Sequence, residues 1–139
     1  MPSDTLSCTG GCLCGAVRYE GATPYNVTHC HCLDCRRAGG APFVTWASFG
    51  LDDFRFIQGS PKEVHWAGRI RSFCPECGTQ VTFRSSAETQ EVDVTVCSMD
   101  NPEFLMPQDH IWVEDRLPWI HLADGLPEHA RERSGHSAG

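Results

Sequence analysis

The apolar and polar residues of the chain alternate in short runs, and most of these runs are typical of β-strands. In one of them Val92, Val94 and Val96 alternate with Asp93 and Thr95, which is the two-residue period of a half-buried strand. The predicted strands, each bounded by turn residues, are 17–20, 25–29, 43–49, 54–57, 62–66, 69–73, 81–84 and 91–96. The chain is therefore predicted to be all-β, with several small sheets.

Helix signals are weak and occur in two places. Residues 33–38 predict a single helical turn that stops at the glycine pair 39–40, and residues 127–133 predict a short helix near the end of the chain. The QGSP sequence at 58–61 predicts a turn, and Gly68 predicts a hairpin between the strands on either side of it. The last residues, 134–139, are small and polar, so we expect them to form a flexible tail.

The length of the chain predicts how many domains it forms, and its net charge bears on its binding partners. A chain of 139 residues is expected to form a single domain, 1–139, with its core at about 10–127. The net charge is −7, with 11 Lys and Arg against 18 Asp and Glu, and this balance argues against nucleic acid as a partner.

No apolar run reaches the ~18 residues needed to cross a bilayer, so no membrane partner is predicted. The first residues show no basic region followed by an apolar stretch, and we therefore expect no signal peptide. Without export the protein is expected to be cytoplasmic, where its cysteines stay reduced.

Candidate chemistry is concentrated in nine cysteines, most of which fall into three motifs. The motifs are C-x-C at 12–14, C-x-C-x-x-C at 30–35 and C-x-x-C at 74–77, and closely spaced cysteines in a reducing compartment are typical metal ligands. Zinc takes four tetrahedral ligands, so the first and third motifs predict a closed structural site on Cys12, Cys14, Cys74 and Cys77. The alternative is that these cysteines are buried or redox-active.

The middle motif has three thiols, Cys30, Cys32 and Cys35, and so leaves a tetrahedral ion one ligand short. The fourth ligand is predicted to be water, a substrate thiolate or another protein group. His29 and His31 are the obvious protein groups, but in an extended segment both face away from the cysteines. The alternative is a second structural site, completed by a histidine, Cys8 or Cys97.

Two arginines directly follow this motif and bear on its charge. Zinc with three thiolates carries a net charge of about −1, and it becomes more negative when a fourth thiolate binds. Arg36 and Arg37 are therefore candidates for binding substrate carboxylates or the anionic site itself. The alternative is that they are ordinary surface arginines.

The three motifs together resemble one known family. GCLCGAVRY at 11–19, CHCLDCRR at 30–37 and FCPECGT at 73–79, followed by Pro107, HIW at 110–112 and Trp119, are similar to the glutathione-dependent formaldehyde-activating enzyme family, which also includes centromere protein V. The resemblance covers nearly the whole chain, from about residue 10 to 127.

This resemblance implies a fold of several coiled antiparallel sheets and two zinc ions. One ion would be structural, on Cys12, Cys14, Cys74 and Cys77, and the other would be exchangeable, on the catalytic Cys30, Cys32 and Cys35. It also implies a carbon–sulfur lyase that forms or cleaves S-hydroxymethylglutathione, with glutathione as co-substrate. Two alternatives stay open, namely a non-catalytic glutathione or thiol binder and a zinc-stabilised protein-interaction module.

The other cysteines, His110 and the tryptophans are predicted to have structural roles. Cys97 is predicted to be a small buried residue, Cys8 to lie in a mobile terminus, and His110 to be hydrogen-bonded rather than a metal ligand. The tryptophans are predicted to pack in the core or against the sheets, and they are Trp46, Trp66, Trp112 and Trp119.

Overall fold

The computed structural model describes residues 8–133, which form two β-sheets and one short helix. The strands are β1 (Cys8–Gly11), β2 (Arg18–Gly21), β3 (Asn26–Cys30), β4 (Val44–Gly50), β5 (Phe54–Gln58), β6 (Lys62–Trp66), β7 (Arg69–Phe73), β8 (Gln80–Arg84), β9 (Glu91–Thr95) and β10 (Asp109–Ile111). The helix is α1 (Leu33–Gly39). The predicted β class is confirmed. Within 8–133 no helix has the length and apolar character that a membrane crossing requires.

The smaller sheet has the strand order β1-β2-β5, and the larger one has the order β10-β3-β4-β9-β8-β7-β6. All neighbouring strands are antiparallel except β10 and β3, which run parallel. All eight predicted strands are present. Two further strands were not predicted from the sequence: β1 is half glycine, and β10 is too short to show a period.

The main hydrophobic core lies on one face of the larger sheet, against the smaller sheet. Its buried members are Tyr19, Val27, Ala47, Phe49, Val81, Val92, Val94, Val96 and Met99. Phe54 and Phe56 of β5 pack against this cluster. Because successive side chains of a strand point to opposite faces, the polar residues between the valines of β9 lie on the other face.

Helix α1 is short because its two ends are defined by specific residues. Cys32 is the N-cap, and its sulfur accepts a hydrogen bond from the backbone N–H of Cys35 at 3.2 Å. Gly40 ends the helix in the left-handed conformation with φ of 63°, which favours glycine. The predicted turn at 33–38 is therefore confirmed.

The predicted helix at 127–133 is wrong, because this segment runs alongside β10. Glu128 forms an isolated parallel β-bridge with His110, and the His129 N–H donates to the His110 carbonyl at 2.9 Å. The exposed edge of β10 offers backbone groups that need partners, and this tertiary pairing overrides a weak local helix preference.

Predictions about the burial of three side chains and about the position of Cys8 are also wrong. Trp66 is 70% exposed because it lies on β6, the edge strand of the larger sheet. Trp119 is 64% exposed in a segment without regular structure, and Cys97 is exposed in a 3₁₀ turn. Cys8 begins β1 instead of lying in a mobile terminus. The predicted tail at 134–139 and the first residues lie outside the described residues.

Candidate functional site

Four cysteines from two distant loops meet between the sheets. Cys12 and Cys14 lie in the loop after β1, Cys74 and Cys77 lie in the loop between β7 and β8, and all four sulfurs are within 4.8 Å of one another. The Cys12 and Cys14 sulfurs are 3.6 Å apart, and the Cys14 and Cys74 sulfurs are 3.8 Å apart. Tetrahedral zinc with Zn–S bonds of about 2.3 Å separates its sulfurs by about 3.8 Å, so this group fits the ion.

Neighbouring donors favour the thiolate form of these sulfurs. The backbone N–H of Val17 donates to the Cys12 sulfur at 3.2 Å, and that of Glu76 donates to the Cys74 sulfur at 3.3 Å. Hydrogen bonds from the side chain and backbone of Thr79 lower the pKa of Cys77 to about 5. Deprotonated sulfurs are the form that binds a metal.

A second group consists of Cys30 at the end of β3, Cys32 at the start of α1 and Cys35 inside α1. Their sulfurs also lie within 4.8 Å of one another, and among residues 8–133 no fourth Cys, His, Asp or Glu joins them at that distance. Cys30 and Cys35 are buried, and Cys32 is half-buried. The three-cysteine group therefore offers a metal three sulfurs from one short stretch of chain.

The hydrogen bonds around this group favour negative charge on the sulfurs. The Trp46 indole N–H donates to the Cys35 sulfur at 3.3 Å. Hydrogen bonds from Cys30 and Cys35 lower the pKa of Cys32, whereas sharing with Cys32 and Cys35 raises the pKa of Cys30. Three thiols this close share negative charge, and a divalent cation is what would let all of them ionise together.

The histidines beside these cysteines are engaged elsewhere. His29 Nδ1 is 2.8 Å from the Thr45 hydroxyl, and His31 Nε2 is 3.0 Å from His110 Nδ1. His110 Nε2 is in turn 2.8 Å from an Asp124 carboxylate oxygen, so His110 is hydrogen-bonded. Because His29, His110 and Asp124 lie close enough together to hold a metal ion, the expectation that His110 is not a ligand stays a prediction. Burial lowers the pKa of His31 to about 4, which keeps its ring neutral in this chain of contacts.

A cavity of about 310 Å³ adjoins the three-cysteine group, and Cys30, Cys32 and Cys35 all line it. Its floor is the face of the larger sheet that is turned away from the core. Because Trp46 and Phe83 also line this cavity, it combines apolar walls with three cysteine side chains.

The arginines that line the cavity are Arg69, Arg71 and Arg133, which the sequence analysis did not select. Arg36 and Arg37 directly follow the third cysteine but are not among the lining residues, and their role in anion binding stays a prediction. The alternation of arginine with Ile70 and Ser72 along β7 was the available signal, but only strand pairing shows which face of β7 meets the cavity.

These arginines differ in their partners. Arg69 lies 3.6 Å from an Asp34 carboxylate oxygen, whereas the Arg71 guanidinium lies over the Phe83 ring, 4.6 Å from its centroid. Arg133 binds both oxygens of buried Asp109, at 2.5 Å and 2.7 Å. Arg69 and Arg71 are thus the cations best placed to bind an anionic group of a ligand.

The sequence and the fold of this chain are each similar to those of known proteins. Residues 7–115 match the model of a family described as glutathione-dependent formaldehyde-activating enzyme. The fold is similar to that of a Rhodobacter sphaeroides protein known from a crystal structure, with a TM-score of 0.56 and 22% sequence identity. That match covers 87% of this chain and 98% of the other, and at this identity it shows a common fold.

Proposed function

Because the chain belongs to the glutathione-dependent formaldehyde-activating enzyme family, we propose that it is a zinc-dependent carbon–sulfur lyase acting on an adduct of glutathione and an aldehyde. Family membership supports a glutathione-dependent role at the level of the family. Beyond the family, we propose the lyase reaction, zinc as the metal and the cysteines that bind it. It also places the protein in the cytoplasm, where cysteines with metal-ligand spacing remain reduced.

One observation carries this proposal: the three-cysteine group opens onto a cavity and has no fourth protein ligand within 8–133. Structural zinc sites are closed, whereas catalytic sites keep one position for water or substrate. We therefore assign a structural zinc to Cys12, Cys14, Cys74 and Cys77, and an exchangeable one to Cys30, Cys32 and Cys35. When bound there, zinc would supply a position that favours the thiolate form of an incoming thiol.

In the forward reaction the sulfur lone pair of the substrate thiolate forms a C–S bond to the aldehyde carbon. The C=O π electrons move to the oxygen, which takes a proton from water, and the reverse reaction returns that proton and breaks the C–S bond. The protein's contribution is to hold the thiol beside the cysteines and the substrate carboxylates beside Arg69 and Arg71. Trp46 keeps the Cys35 sulfur oriented through its indole N–H.

The direct test is Cys32→Ser, which removes one of the three sulfurs. We expect S-hydroxymethylglutathione turnover to fall by roughly 100-fold or more, since loss of even a hydrogen-bond partner of a metal ligand costs about 10- to 100-fold. Turnover is measured by exchange NMR with ¹³C-formaldehyde, and metal content by mass spectrometry. The variant should lose one metal per chain and keep the other.

The matched control is Cys97→Ser, because Cys97 is exposed and belongs to neither cysteine group. It should leave turnover and metal content unchanged. Equal turnover in Cys32→Ser and wild type would exclude catalysis at this group. Thiol binding without turnover in the wild type would favour a non-catalytic binder, and two tightly held metals that glutathione does not reach would favour an interaction module.

A further inference from the structure

One row of side chains crosses the cavity floor from strand to strand. Asn26 of β3 pairs with Ser48 of β4, Ser48 pairs with Asp93 of β9, and Asp93 pairs with Phe83 of β8. These four side chains share a face of the sheet, and all of them line the cavity. Cys30 lies four residues along β3 from Asn26, on the same face, at a backbone distance of about 13 Å.

The end of the cavity at Asp93 is rich in carboxylates. Glu91, Asp93 and Glu132 line it, and none of them forms an ion pair with a Lys or Arg in the described part of the chain. Their hydrogen-bond partners are neutral donors, which are the Tyr25 hydroxyl for Glu91, the Ser48 hydroxyl for Asp93 at 2.6 Å and the Trp112 indole N–H for Glu132 at 3.1 Å.

The nearby arginine does not neutralise this end, because both of its hydrogen bonds go to another carboxylate. Arg133 lines the cavity, but its guanidinium holds both oxygens of Asp109. The Arg133 side chain lowers the pKa of Asp109 against the opposing effect of burial, and thereby keeps that pair ionic. Three carboxyl groups without a cationic partner in residues 8–133 are thus left facing the cavity.

Asn26 provides an independent sign that a donor belongs here. It is only 8% exposed, and its side-chain carbonyl oxygen has no hydrogen-bond partner among the described residues. Leaving a buried acceptor unpaired is unfavourable, so such an atom beside a cavity indicates that a donor group of a ligand binds there. The row therefore offers an acceptor and carboxylates to whatever enters.

We propose that Asn26, Asp93, Glu91 and Glu132 form a subsite for a primary ammonium group of the substrate. An ammonium has three N–H donors and no acceptor, which complements a site made of carbonyl and carboxylate oxygens. The inference rests on the proposed function, in which the thiol lies at the cysteines. It assigns the α-ammonium of the γ-glutamyl group of glutathione to this end of the cavity.

Burial makes the ionised form of Asp93 unfavourable. Burial raises the pKa of Asp93 to about 7. A hydrogen bond from Ser48 opposes this rise, and the nearby carboxylates of Glu91 and Glu132 add to it. A bound ammonium would offset the cost of this buried charge. Binding is therefore best measured at pH 8, where the carboxylate is ionised in the free protein.

The test compares glutathione with glutaryl-cysteinylglycine, which is glutathione without its α-amino group. Calorimetry on the metal-loaded full chain should show that the wild type binds glutathione roughly 10- to 100-fold more tightly than the amine-free analogue. This is the factor expected from the strength of hydrogen bonds to charged groups. Asp93→Asn should lose most of this preference and bind the amine-free analogue as the wild type does. Glu63→Gln, on edge strand β6 and outside the cavity, is the matched control and should keep the full preference.

Glu91→Gln is the second variant, to be used if Asp93→Asn does not fold. It should lose part of the preference for glutathione, and less of it than Asp93→Asn. If the wild type binds both thiols equally, the ammonium subsite is wrong and the proposed function stands. If neither thiol binds and S-hydroxymethylglutathione is not turned over, the proposed function fails, and the subsite fails with it.

Discussion

At the scale of single residues, the donors around each sulfur distinguish these cysteines from ordinary buried thiols. A backbone N–H donates to the sulfur of Cys12, of Cys32 and of Cys74, and the Trp46 indole donates to Cys35. Hydrogen bonds of this kind orient a metal ligand and stabilise its negative charge. Among residues 8–133, Trp46 on β4 is the side chain from outside the 30–35 stretch that donates a hydrogen bond to the three-cysteine group.

Trp46→Phe tests that contact, because it removes the indole N–H and keeps an aromatic ring beside Phe83. We expect metal affinity at the three-cysteine group to fall about 10- to 100-fold, while the four-cysteine group is unaffected. Competition with a chromogenic zinc chelator measures both affinities. Trp66→Phe is the control, since Trp66 is largely exposed, and equal metal release from the two variants would show that the indole contact does not matter.

At the scale of elements, one glycine fixes how the turn after β5 meets the first cysteine loop. Gly59 has φ of +76°, and a Cβ on it would lie 2.2 Å from the backbone oxygen of Ala16. The turn therefore needs glycine both for its left-handed backbone and for close packing. Ala16 lies just beyond Cys14, so this contact also supports the four-cysteine group.

Gly59→Ala should lower the free energy of unfolding more than Gly68→Ala, and chemical denaturation measures the difference. Gly68 has φ of +80° but open space around it, so its substitution should cost only the left-handed strain of about 1–2 kcal/mol. Gly59→Ala should cost a further ~1–3 kcal/mol from overpacking against the backbone. Equal losses would mean that the loop moves away from β5 freely.

At the scale of the whole molecule, the two cysteine groups differ in what they connect. Cys14 and Cys74 are 60 positions apart and tie the loop of the smaller sheet to the larger sheet. Cys30, Cys32 and Cys35 lie within six residues of each other and close no long loop. Because closing a long loop removes more entropy from the unfolded chain, a metal at the first group should stabilise the fold more.

Cys74→Ser should therefore destabilise the protein by several kcal/mol, since metal binding at such sites is worth on the order of 10 kcal/mol. Cys32→Ser should cost clearly less. Guanidinium denaturation of both variants, with metal content measured in parallel, makes the comparison. Equal destabilisation would show that the four-cysteine group is not the main link between the sheets.

The strands and the cysteine motifs could be predicted from the sequence because both depend on short spacings. Alternation along β9 and the turn residues around Gly68 identify strands without any tertiary information. The helix α1 was predicted for the same reason, since its stop at Gly40 is local. By contrast, the segment at 127–133 and the exposure of Trp66 depend on what lies beside them in space, and there the sequence analysis was wrong.

The sequence by itself determined a β-rich chain, and it placed two sets of metal-ligand spacings along it. Only the tertiary structure decided which groups face the cavity, because the pairing of β3, β4, β9, β8 and β7 brings together residues far apart in the chain. Asn26, Asp93 and Arg71 each look like an ordinary polar residue of a strand. Strand register alone places them on one face, in one row, along the cavity that the three cysteines also line.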